Sequence, residues 1–254
     1  MKNLLPEIPD FLDNTLKNIS DEPTKSIGTL IKDAIFLKFG SISYEAEKLR
    51  ILQKYGLKEF EDCLAKNINE IPVNKLQIPE FQTIIQTIGD MESCINSEDL
   101  RVMFANLLAR SCNYDYANFV HPSFSGILRQ MSPYDAKILK FYINNRIDHL
   151  ITYRYKKSNG ERFDRIPYTI DSYPNLNESD HVSIAISSLM RLGILSIQDD
   201  TLFCPAKNSL FEDSIFYKNC EQKRIKEGIY SSSSINKQKS YITSFGEAFI
   251  RSCC

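Results

Sequence analysis

Glycine, histidine and tryptophan are scarce in this chain of 254 residues: nine glycines, three histidines and no tryptophan. The glycines never gather into G-x-x-x-x-G-K-[ST] or G-x-G-x-x-G, so a backbone cradle for a nucleotide's phosphates is missing. No Cys-x-x-Cys pair occurs among the seven cysteines, and His121, His149 and His181 do not stand beside them at zinc-ligand spacing. Neither G-x-S-x-G nor H-E-x-x-H is present, which removes the familiar serine-hydrolase and zinc-protease readings. The sequence therefore predicts no catalytic residue, no metal, no cofactor and no small-molecule substrate.

Long apolar runs are missing too. The greasiest segment, Ile27 to Phe39, is broken by Lys32, Asp33 and Lys38 and falls short of the ~20 residues a membrane span needs. The start carries no basic segment followed by an apolar one, so no signal peptide is read there. An odd number of cysteines without a disulfide pattern points to a reducing, cytoplasmic compartment. The terminal Cys253-Cys254 pair matches one kind of prenylation ending, but no GTPase motif accompanies it.

What is present is a balanced charge, 31 basic against 32 acidic side chains, unevenly placed. Residues 1–130 carry 14 basic and 18 acidic residues, a net −4, and residues 131–254 carry 17 and 14, a net +3. The first part reads as helices. Ile27, Leu30, Ile31, Ala34 and Ile35 form one stripe, and Ile84, Ile85 and Ile88 another. "SYEAEKLRILQKYG" reads as an outer helix ending near Gly56, followed by "LKEFEDCLAKNIN". In "NSEDLRVMFANLLARSC", Asn96 or Ser97 caps, Glu98 and Asp99 suit the positive start, and Arg110 suits the negative end. Leu100, Met103, Phe104, Leu107 and Leu108 are its buried face.

A second unit opens at "MSPYDAKILKFYINN", with Ser132 as cap, Pro133 in the first turn, and Ile138, Leu139, Tyr142 and Ile143 facing inward. Residues 150–170 alternate around Asn159-Gly160 as a β-hairpin. "VSIAISSLMRLGILSI" then reads as a helix with Val182, Ala185, Ile186, Leu189 and Met190 inside, stopped at Gly193 and continuing into a strand. Thr201 to Cys204 would complete a second hairpin, residues 206–239 an insert, and "YITSFGEAFIRS" a strand passing into a helix capped by Ser244 and Glu247. The predicted fold is mainly α within the α+β class: a helical domain over 1–130 and a winged-helix-like domain with small hairpins over 131–254.

A helix that reads DNA needs Arg, Lys, Asn or Gln for base edges and phosphates. Between Asp180 and Leu192 the chain offers His181, serines and Arg191, which is a poor reading head. Basic residues concentrate instead in two segments. Arg154, Lys156, Lys157, Arg162 and Arg165 lie in the first, and Lys223, Arg224 and Lys226 in the second. These eight are the candidate contacts to nucleic acid or another anion. Glu59, Glu61 and Asp62 read as a solvated face, Cys94 and Cys112 as small buried apolar residues, and His121 as a helix-start residue.

"DLRVMFANLLARS", "HPSFSGILRQMSPYDAKIL", "LMRLGIL" and "YITSFGEAFIRSC", with "PTKSIGTLIKDA" near the start, resemble the bacterial abortive infection alpha (Abi-alpha) family over roughly residues 20–252. The resemblance implies a phage-defence setting and supplies no catalytic residues. Phe104 stands where tryptophan is common in the family, and Asn106, the one polar residue of "FANLL", is expected to bond backbone. The expected function is a non-enzymatic scaffold or partner-binding module, with a protein partner or self-association. Alternatives are a DNA-binding regulator using the basic loops, and a membrane-acting effector using the helix at Ile27 to Phe39.

Overall fold

The computed structural model describes residues 28–31, 34, 47–145, 147, 149–170, 179–199 and 215–254, with backbone alone for 47–52, 179, 199, 215 and 216. It is a mixed α+β protein whose contacts separate two units, Met1–Pro133 with Glu247–Cys254, and Tyr134–Gly246. Thr201 to Cys204, Arg146 and most of Ile27 to Phe39 lie outside the described residues. Among the described residues no helix is long and apolar enough to cross a membrane.

The first unit is helical. Its elements are α1 (Glu47–Asn69), α2 (Phe81–Met91), α3 (Glu98–Ser111), the single turn α4 (Tyr114–Ala117) and α5 (Phe124–Gln130). Residues 28–31 and 34 are also helical, and Ile31 and Ala34 are buried as their stripe predicts. The α3 stripe is buried throughout, from Leu100 to Leu108, and α3 packs against α1, whose Phe60, Leu64 and Ile68 are also buried. Ser97 is the cap position of α3, although its side chain makes no capping bond. On α2, Ile84 and Ile88 are buried while Ile85 is 38% exposed, because the packed stripe is narrower than the apolar one.

Gly56 does not end a helix; α1 runs through it to Asn69. The glycine marks a close approach, since a Cβ there would stand 2.6 Å from the carbonyl oxygen of Ile95. That same oxygen accepts a 2.8 Å bond from Arg101, which also pairs with Glu59. Glu61 departs from the solvated-face expectation more sharply, at 1% exposure. A periodic helix face cannot show which of its carboxylates a neighbour will cover.

In the second unit, α6 (Pro133–Asn144) leads to β1 (His149–Lys156) and β2 (Arg162–Thr169). Next come α7 (Ser179–Arg191), β3 (Leu195–Asp199), α8 (Ile215–Glu227) and β4 (Ser232–Ile242), which runs into α9 (Ser244–Cys253), a helix that belongs to the first unit from Glu247 on. The four strands form one antiparallel sheet in the order β2-β1-β4-β3. The hairpin turn falls at Asn159-Gly160, where Gly160 takes φ +90° and Asn159 Oδ1 accepts from the amide of Glu161 at 3.0 Å. Gly193, at φ +76°, ends α7 in a Schellman pair: its amide donates to Met190 and that of Ile194 to Leu189.

Most of β4 comes from residues 232–239, which the sequence reading left inside an insert. The segment "SSSINKQK" has little apolar content, and a strand hydrogen-bonded on both sides does not need it. The cap of α9 is Thr243, one residue before the expected Ser244: its hydroxyl accepts from the Gly246 amide at 2.9 Å.

Gly56→Ala should lower the melting temperature by the equivalent of about 1–3 kcal/mol, because carbonyl oxygen and methyl cannot share the space. Gly89→Ala, in α2 with nothing within 4 Å of the added carbon, should leave it unchanged or raise it. Thermal melts of the two variants check the contrast.

Candidate functional site

The two basic segments, separated by more than fifty residues of sequence, meet in the second unit. What joins them is a cluster of tyrosines. Tyr153 and Tyr155 of β1, Ile166 of β2 and Cys220 of α8 are buried together, with Tyr217, Tyr230 and Ile235 packed around them. A buried tyrosine needs a partner for its hydroxyl. Tyr155 donates to the Cys220 carbonyl at 2.9 Å, and Tyr153 donates to Glu221. Both bonds fix α8 against the sheet.

Glu221 is the acceptor on which this arrangement converges. Tyr153 and the Ser233 hydroxyl donate to Oε1, and Arg224 approaches both carboxylate oxygens, with its Nη2 2.7 Å from Oε2. Burial opposes ionisation of Glu221, but the bonds from Arg224, Ser233 and Tyr153 outweigh it and bring its pKa down to about 2. Tyr153 and Tyr155 are held above the usual phenol range chiefly by burial, Tyr155 at about 12. Both stay protonated donors.

The eight predicted contact residues therefore divide. Arg224 is spent on Glu221 and on the Tyr230 carbonyl at 3.1 Å. Arg154 pairs with Asp164 across the β1-β2 ladder, and Lys157 with Glu161 at 2.8 Å. Lys156, Arg162, Arg165, Lys223 and Lys226 are exposed and have no ion-pair partner among the described residues. Lys156 and Arg162 face each other as cross-strand neighbours at the hairpin's end. Helix α7 shows His181, Ile184, Ser187 and Arg191 on its exposed side.

Sequence reasoning missed the apolar members of this surface. Phe163 is 51% exposed, Ile225 68% and Ile229 61%. Tyr230, next in sequence to Ile229, stacks on Tyr155 with ring centres 4.5 Å apart and on Phe163 at 6.4 Å. A lone exposed Ile carries no signal in a sequence; the grouping is tertiary.

The first unit holds a polar cleft of about 270 Å³ lined by Asn67, Glu70, Asn106, Arg110, Asn113 and Tyr116, among others. Its groups largely satisfy one another. Asn106 donates to the Cys253 carbonyl at 3.0 Å, the backbone bond expected of it, and accepts from Asn67 at 2.8 Å. Arg110 donates to the Arg251 carbonyl and lies over the Tyr116 ring. His121 turns to Ser123 at 2.7 Å at the start of α5, and Cys94 and Cys112 are buried as predicted, burial pushing Cys112 up to about 12. Glu61 has neither carboxylate oxygen hydrogen-bonded, and burial, reinforced by Asp62, pushes it up to about 8. Among the described residues no three metal-ligating side chains come together.

The family model described as abortive infection alpha matches residues 52–253. No curated protein and no solved structure matches the chain.

Two pH responses follow. Glu221, depressed in the folded state, contributes stability above its unfolded value of 4.5, and that contribution disappears as the pH falls toward 2. Glu221→Gln should cost roughly 2 kcal/mol near neutrality and much less at the acid end, read as urea midpoints across that range. Glu61 behaves oppositely: above pH 4.5 the unfolded chain ionises it and the folded chain does not, so stability falls as the pH rises toward 8. Glu61→Gln should remove a slope of up to about 1.4 kcal/mol per pH unit, making the variant gain on the parent in alkaline urea titrations.

Proposed function

Because this chain belongs to the abortive infection alpha family, we propose that it serves phage defence as a non-enzymatic binding module acting through the β1-β2 end of its second unit. The observation that carries the reading is the convergence of two basic segments on one tyrosine cluster, with five exposed cations that have no ion-pair partner among the described residues and exposed apolar side chains in the same region. A surface of exposed charge beside exposed apolar area suits a partner far better than it suits water. The underlying scaffold is rigid, since Glu221 and the tyrosine hydroxyls hold α8 to the sheet. A partner protein, or a second copy of the chain in an oligomer, is part of the proposal. So is a cytoplasmic location, which the six free thiols among the described cysteines support.

The winged-helix-like assignment of the second unit belongs to the proposal as well. Helix α7 turns at Gly193 into β3, β3 pairs with β4, and β4 runs into α9, an order that supports it. A second reading, a nucleic-acid contact, is favoured by Lys156 and Arg162 side by side at the hairpin's end, where they can neutralise phosphates without reading bases.

In cells carrying the gene and challenged with phage, Lys156→Glu with Arg162→Glu should reduce protection at least about tenfold in plaque counts. Glu70→Ala, in the polar cleft of the first unit, should leave protection intact. Protection that survives the charge reversals but is lost with Glu70 would move the function to the first unit.

A further inference from the structure

We propose that the β1-β2 end of the second unit docks on an anionic lipid surface, burying Phe163, Ile225 and Ile229 among the acyl-chain boundary while Lys223 and Lys226 meet the headgroups. The inference rests on the binding-module reading and adds a lipid surface to the protein partner or second copy proposed there.

Three apolar side chains project here from three different segments: β2, the last turn of α8, and the connection from α8 to β4. Their common position is fixed by named bonds. Gly228, at φ +65°, ends α8, and its amide closes on the Arg224 carbonyl at 3.1 Å. Arg224 donates to Tyr230, and the Ser231 amide donates to the Lys156 carbonyl at 2.8 Å. These bonds bring the end of α8 and the α8-β4 connection to the hairpin's end, where Tyr230, next in sequence to Ile229, stacks on Phe163. The apolar group is thus held in place rather than hung on a loose loop.

The chemistry distinguishes lipid from nucleic acid. Aliphatic side chains give bases no ring to stack on and phosphates no charge, so Ile225 and Ile229 would remain in water on a DNA or RNA surface. At a bilayer interface the same side chains enter the acyl boundary, and the cations around them gain from anionic headgroups. Lys223 and Lys226 flank Ile225 in sequence on α8, so charge and apolar surface leave the same helix end. The whole chain carries a net −1, so attraction to an anionic surface has to come from this local group of cations.

The test uses the full chain with extruded vesicles of phosphatidylcholine alone or mixed with phosphatidylglycerol, and in parallel with single-stranded and duplex DNA. Because the chain has no tryptophan, Ile229→Trp gives a single reporter at the surface itself. The expected result is flotation with the phosphatidylglycerol vesicles, a blue shift of the reporter, and its quenching by brominated acyl chains. Ile225→Asp with Ile229→Asp should weaken partitioning about tenfold or more, and Lys223→Glu with Lys226→Glu by a similar factor. All four positions are exposed, so an unchanged melting temperature should confirm that the variants fold. Binding to DNA without binding to vesicles would overturn the lipid inference and leave the binding module standing. Binding to neither would overturn the lipid inference alone, the plaque counts of the Lys156 and Arg162 reversals deciding the binding module, and equal binding to both vesicle types, or binding indifferent to the aspartates, would remove the anionic surface or this docking site.

Discussion

The constraint on which the rest of the architecture depends is that the chain leaves its first unit at Pro133 and comes back to it at Glu247. Closing so long an excursion costs entropy, though the cost grows only slowly with its length. The return is secured by contacts inside the first unit: Phe249 meets Phe124 edge-on at 5.3 Å, Asn106 holds the Cys253 carbonyl, and Arg110 holds that of Arg251. Phe249, Ser252 and Cys253 are fully buried. Asn106 also accepts from Asn67, so one amide ties α1, α3 and α9 together. The polar residue in the middle of an apolar helix holds the last turn of α9.

The second unit solves a different problem, which is how to seat a polar strand and a weakly amphipathic helix on a small sheet. Tyrosine does this because its ring fills volume while its hydroxyl bonds across the interface. Tyr142 donates to Ser240 at 2.7 Å, Tyr155 to the Cys220 carbonyl, and Tyr153 to Glu221. The first bond links α6 to β4 and the other two link β1 to α8, so α6, α8 and β4 are positioned by direction as well as by burial. The exposed cations and apolar side chains at the hairpin's end inherit that order.

Local physics made much of this legible in the sequence. The α3 stripe, the Asn159-Gly160 turn and the glycine stop at Gly193 depend on neighbours in the chain, and each was found where periodicity or positive φ required it. What could not be read depends on partners far away. Gly56 looks like a terminator until the Ile95 carbonyl is seen against it, and Glu61 looks solvated until its surroundings close over it. Strand β4 escaped because its serines and lysines carry no apolar alternation. Of the eight basic residues picked out by composition, three turned out to be occupied by Asp164, Glu161 and Glu221, and the apolar half of the surface left no trace in the composition at all.

The convergence of three donors on Glu221 bears on how loss-of-function alleles should be interpreted. A random screen for defective alleles will recover Glu221, Arg224, Tyr153 and Ser233 readily, since damage to any one of them strands the others' buried polar atoms. Arg224 in particular would look like a ligand contact, being basic, adjacent to the exposed surface and intolerant of replacement. Its phenotype would instead reflect low protein abundance, because a destabilised fold is cleared before it can act. Immunoblots run beside such a screen therefore separate residues that hold the surface in shape from residues that touch whatever arrives there.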